Sequence, residues 1–129
     1  MCVNKIWDRA PHNAFTDLTG FKGQYYLTFR SCPDGHGVYP SSRIVVLCSE
    51  NTRDWRLAHA FNVPNRDTRD PHFLAFNDAL FVYTGTWLCP RTSGGMNDHQ
   101  GYCIGSTDGK TWHGPRFLEG TQGHYVWRA

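Results

Sequence analysis

The 129-residue chain carries little charge and no block of one sign. Thirteen Lys and Arg against eleven Asp and Glu leave a formal net charge of +2 with the seven His neutral. The Arg residues are scattered, so there is no electrostatic footprint for nucleic acid. No stretch approaches the ~20 apolar residues of a membrane-spanning helix, and no membrane partner is expected. The opening segment, MCVNKIWDRAPHN, has no apolar core. It therefore shows no signal peptide, and the cytoplasm is the default location. The long Ala/Glu/Lys/Leu stretches that mark helices are missing. The five Cys make an odd number, and no two have C-x-x-C spacing. That speaks against a zinc site and for reduced thiols, several in core strands. No metal and no cofactor is expected.

What the chain does have is aromatic side chains, at 15%, together with 13 Gly and 7 Pro. Rich aromatics between Gly, Asn and Asp turns favour an all-β domain. The run AFTDLTGF meets Lys22-Gly23 and is followed by QYYLTFR. Two β-rich runs around a short turn read as a hairpin. The same design returns in RDPHFLAFNDALFVYTGTW, residues 69–87, around Asn77-Asp78. A long polar loop follows each hairpin, at 31–42 and 89–100, and leads into a third strand, RIVVLCS (43–49) or GYCIGS (101–106). Each third strand runs into a Ser-to-Trp turn, SENTRDW from Ser49 to Trp55 and STDGKTW from Ser106 to Trp112. The paired Ser and the paired Trp are each 57 residues apart, and the hairpin turns are 55 apart. A four-stranded unit repeated at about fifty-five residues reads as propeller blades, which become stable only by stacking on neighbours.

The turn from Ser106 to Trp112 resembles the Asp-box (BNR) turn of sialidases and related propellers. Asp108 can accept backbone N–H groups, Gly109 can supply positive φ, and Trp112 can fold beneath the turn. The earlier copy has Asn51 in place of the Asp and lacks the Gly. The stretches KIWDRAPHNAFTDLTGFKG, YYLTFR, DTRDPHF and HYVWRA also resemble the amino-terminal part of bacterial exo-α-sialidase-type proteins. The resemblance implies an all-β partial propeller, six-bladed in the full-length family. Here it comprises one blade at about 13–61, a second at about 69–118 and the start of a third at about 124–129. It also implies a sugar-directed site. Where such sialidases place the first Arg of a carboxylate-binding triad, this chain reads Phe15-Thr16-Asp17.

Strand alternation sorts the candidate residues. The hairpin turns and Ser-to-Trp turns share one face, so Ser106, Asp108, Gly109 and Trp112 are structural there. The other face collects Asp17, Arg30, His36, Arg69, Asp70, Trp87, His99 and Arg128. Arg matches a carboxylate with its planar fork, which suits an anionic or polyhydroxylated ligand. Asp17 and Asp70 are the candidate catalytic carboxylates. Arg30, His36, Arg69, Trp87, His99 and Arg128 are candidate substrate contacts, with Trp87 as a platform for a sugar ring. For each a structural role stands beside the functional one: Asp70 before Pro71 can form an ion pair or cap a turn, and Asp17 can hydrogen-bond a neighbouring blade. Two functions follow. One is a piece of a sialidase-like glycoside hydrolase acting on terminal acidic or polyhydroxylated sugars and inactive in isolation. The other is a non-catalytic propeller that binds carbohydrate or protein. Open blade faces would favour self-association.

Overall fold

The computed structural model describes residues 3–90 and 98–127. Eight strands form two antiparallel sheets. In the first, β1 (His12–Phe21), β2 (Gln24–Cys32), β3 (Arg43–Ser49) and β4 (Arg56–Phe61) lie in sequence order. In the second, β5 (Arg66–Phe76), β6 (Ala79–Leu88), β7 (His99–Ser106) and β8 (His113–Phe117) do the same. Among the described residues there is no α-helix. The inner hairpins stand where the sequence places them, although β5 starts at Arg66 instead of Arg69. Residues 124–127 form no regular strand.

The repeat is written into the backbone. Lys22 and Asn77, the corresponding turn residues, are both left-handed at φ 47°. A bulge interrupts β1 between Ala14 and Asp17, and a matching one interrupts β5 between Arg69 and His72. Each bulge places a non-glycine residue at positive φ, Phe15 at 61° and Asp70 at 50°. Such bulges bend the strand and re-aim side chains.

Both Ser-to-Trp turns are closed by the same pair of backbone hydrogen bonds to one side-chain oxygen. Asp108 Oδ1 accepts from the backbone N–H of Lys110 (2.8 Å) and Thr111 (2.7 Å). These bonds hold its carboxyl well below the usual carboxylate range. Asn51 Oδ1 does the same for Arg53 and Asp54, at 2.9 Å each. Thr52 takes φ 61° where Gly109 takes 72°. An amide oxygen accepts N–H groups as a carboxylate does, so the turn survives the loss of both signature residues.

The sheets stack face to face. Tyr26, Ile44, Val46, Cys48 and Phe61 of the first meet Leu80, Val82 and Ile104 of the second, with Trp112 packed against them. Each aliphatic side chain so buried contributes about 1.5–3 kcal/mol. The packing is heterologous. Tyr25 and Leu80 are equivalent, since they pair with Ser49 and Ser106 respectively. The first sheet therefore uses the side of β2 that bears Tyr26, while the second uses the opposite side, that of Leu80. Head-to-tail stacking of this kind continues by rotation instead of closing on itself, and it leaves a free face at each end. On the first sheet that face carries Phe29, Val45 and Leu47, and Trp7 covers it edge-on to Phe29. On the second it carries Phe81, Cys103 and Gly105, which line an open hollow of about 310 Å³.

Two glycines separate steric from torsional cost. At Gly109 the φ is +72°, and an added Cβ would overlap the Tyr26 hydroxyl of the other sheet. At Gly23 the φ is +76°, but nothing lies within 4 Å. Gly23→Ala should cost about 1–2 kcal/mol from backbone strain alone. Gly109→Ala should add about 1–3 kcal/mol of overpacking. Urea unfolding of the two variants measures the difference, and equal losses would show that the turn does not press on Tyr26.

Candidate functional site

One end of the stacked sheets gathers the buried charged residues. β2 ends there with Arg30 and β5 begins there with Asp67, Arg69 and Asp70. Along the buried side of β2 the side chains pass from Tyr26 through Thr28 to Arg30, so the apolar core gives way to a polar layer.

Arg30 is 0% exposed. Its Nε and Nη2 donate to Asp67 Oδ1 at 3.2 and 2.8 Å. Nη1 donates to the Gly35 carbonyl at 3.1 Å and Nη2 to the Gly37 carbonyl at 2.9 Å. Nη1 also meets His12 Nδ1 at 2.9 Å. All five guanidinium N–H groups are thereby taken. Arg69 bonds the other carboxylate oxygen, Asp67 Oδ2, through Nε, and donates through Nη2 to the carbonyls of Gly37 (2.8 Å) and His36 (3.4 Å). Asp67, also fully buried, is thus gripped by one guanidinium from each sheet, and both guanidinia hold the 33–40 loop by its carbonyls. His12 Nε2 lies 2.9 Å from Nδ1 of the exposed His36, and Phe15 flanks both rings, centroids 6.0 and 5.9 Å away.

A second group lies along the bulges. Asp17 Oδ2 accepts the backbone N–H of Phe73 in the neighbouring sheet at 2.9 Å and sits 3.7 Å from His72 Nδ1. Asp70, left-handed and nearly buried, accepts the Tyr125 hydroxyl on Oδ2, while its Oδ1 has no hydrogen bond among the described residues. Burial, reinforced by the bond to Asp70, pushes the Tyr125 hydroxyl pKa far up. The Tyr125 ring lies against Gly85, where a Cβ would stand 2.6 Å from it.

Arg30, His36, Arg69, Asp17 and Asp70 therefore occupy one end. Trp87 and His99 share it as a register pair, but His99 is buried between the rings of Trp87 and Tyr125 and does not lie in an open loop. Arg128 lies outside the described residues. Asp108 sits at the far end, where Lys22 Nζ reaches the Thr107 carbonyl at 2.8 Å and Tyr26 reaches the Gly109 carbonyl. A groove of about 660 Å³ lies at that far end too, between the 49–56 turn and residues 4–6. Its turn groups are largely satisfied within the turn, so it lacks the convergent chemistry of the Arg69 end. Asp67, His12, His72 and Tyr125 were not among the sequence candidates. Asp67 stands two residues before Arg69, but its link to Arg30 spans 37 residues of chain and leaves no local signal.

Solved structures of the GH43 protein BlXynB from Bacillus licheniformis, in its unmutated form and as a mutant, resemble this chain. The TM-scores are 0.60 and 0.59 at 14% identity, over 83% of this chain. The chain has the fold of two propeller blades. It spans 22% of the length of those proteins. No family model and no curated protein matches it. At this identity the likeness establishes the fold alone.

Removing one partner of a buried ion pair strands the other charge, at about 3–5 kcal/mol. Asp67→Ala should cost that much in urea unfolding, and Arg30→Met with Asp67→Leu should recover most of it. A loss below about 1 kcal/mol would show that the clamp does not hold the blades. His12 gives a pH signature. Burial and then the charge of Arg30 lower its pKa from 6.5. Its contribution to stability is complete above pH 6.5 and is lost as pH falls through the lowered value. His12→Gln should flatten that part of the stability–pH curve.

Proposed function

We propose that the chain is part of a carbohydrate-directed β-propeller glycosidase and that the end bearing Arg69 meets the sugar. The observation that carries this is the convergence there of residues from both blades: Arg30, Asp67 and Arg69 in one clamp, His12 and His36 above it, and Asp17 and Asp70 on the paired bulges. The GH43 fold neighbours support a glycosidase architecture. The Ser-to-Trp turns and the sequence resemblance support the narrower sialidase-like form, acting on terminal acidic or polyhydroxylated sugars. Within it, Asp17, partly exposed beside His72, serves as the general acid. Arg69, whose side chain is 13% exposed, makes the direct charged contact. Arg30, with every donor taken, supports the site from beneath.

That saturation of Arg30 favours a second reading, a propeller that binds sugar without chemistry. Calorimetric titration with N-acetylneuraminic acid and with methyl β-D-xylopyranoside tests the shared part. Binding of either sugar is expected, weakened about tenfold or more by Arg69→Ala, a loss of ~1.4 kcal/mol. No binding of either would overturn the carbohydrate reading. The chain alone is expected not to hydrolyse a fluorogenic sialoside. Turnover abolished by Asp17→Asn would establish that these two blades suffice for hydrolysis.

A further inference from the structure

The contact between Arg30 and His12 fixes more than the loop. A guanidinium is a donor and never an acceptor at protein pH. His12 Nδ1, 2.9 Å from Arg30 Nη1, therefore accepts, and the neutral ring carries its proton on Nε2. Nε2 lies 2.9 Å from His36 Nδ1 and so donates to it. His36 is left with its proton on Nε2, the nitrogen not engaged by His12, on an exposed ring at the Arg69 end. Each link follows from the one before, because the first member of the relay has only donors.

The surroundings reinforce the relay. The charged and titratable groups facing His12 are Arg30 on β2, Asp67 and Arg69 on β5, and His36 in the loop. Two guanidinia against one carboxylate leave a net positive setting that disfavours a charged imidazole at position 12. The His36 backbone is itself held through its carbonyl by Arg69. Arg69 Nη1 makes no hydrogen bond among the described residues, so a second donor stands near this loop. Phe15, turned by the β1 bulge, adds an apolar ring 5.9 Å from that of His36.

We propose that His12 is a positioning residue that locks His36 as a hydrogen-bond donor through Nε2, and that this donor, with Arg69 Nη1, takes an acceptor oxygen of the sugar while Phe15 flanks its ring. The sugar half of this rests on the carbohydrate reading above; the relay does not. Gln is the conservative test at position 12: its amide oxygen can accept from Arg30 and its amide nitrogen can donate to His36, without titrating. His12→Leu removes both links.

The experiment is nitrogen NMR on uniformly ¹⁵N-labelled chain at pH 7.5, with the two sugars named above as probes. A ¹⁵N–¹⁵N coupling through the hydrogen bond from His12 Nε2 to His36 Nδ1 is expected in the wild type. An equivalent coupling from the side-chain amide should appear in His12→Gln and none in His12→Leu. Either sugar should shift His36 Nε2 in the wild type and in His12→Gln, with affinity about tenfold or more lower in His12→Leu. A proton on His12 Nδ1, or a missing coupling in the folded wild type, would overturn the relay, whatever the sugar does. An intact relay with sugar bound but His36 Nε2 unmoved would overturn its role as ligand donor. An intact relay with neither sugar bound at any site would instead sink the carbohydrate reading, and the donor role with it.

Discussion

The carboxylate of Asp67 is the constraint on which the charged end depends. It is buried, and it is divided between two guanidinia, Arg30 from one sheet and Arg69 from the other. A charge removed from water must be paired and its remaining hydrogen-bonding capacity filled. Backbone does much of the filling here: the carbonyls of Gly35 and Gly37 take guanidinium donors that Asp67 leaves, and His12 Nδ1 takes another. A single buried acid thereby joins two blades and anchors a polar loop that has little apolar surface of its own.

The apolar layer and the polar layer divide the work. Toward the Ser-to-Trp turns, Tyr26, Val46, Cys48, Leu80, Val82 and Ile104 supply the hydrophobic contact. Toward the other end the same strands carry Thr28, Arg30, Thr84 and Thr86, all buried and hydrogen-bonded. The change in polarity along β2 and β6 puts directional interactions at the charged end and leaves non-directional packing to hold the far end. Asp17 extends the directional part by accepting a backbone N–H across the sheets, the structural alternative that the sequence left open beside catalysis.

The paired bulges show how one backbone device serves two different ends. Both put a residue with a side chain at positive φ, and both sit on the inner strand of their blade. Phe15 is turned toward the imidazoles of His12 and His36, and Asp70 toward the hydroxyl of Tyr125. Left-handed backbone at such residues is costly and is retained where the surrounding structure over-determines it. That both fall at the charged end agrees with a site built on the inner strands.

The sequence by itself determined the secondary structure and the repeat. Alternation, turn residues and the 57-residue spacing of Ser and Trp are local signals, and the strands, both hairpins and the sequential order of each sheet follow from them. It also separated the two ends of the blades, because strand direction reverses at each turn; Asp108 and Arg69 fall at opposite ends as that count requires. Only the tertiary structure decided what each charged residue touches. Arg30 reads as a strand-end cation that could meet a ligand, but stacking of the second sheet buries it against Asp67. His99 reads as a loop residue, but the strand β7 begins there and two aromatic rings enclose it. His12, Asp67 and Tyr125 acquire their roles from partners 18, 37 and 55 residues away. Hydrogen bonds are short and directional, so which donor meets which acceptor is set by how two sheets pack, and no local pattern in the chain encodes that.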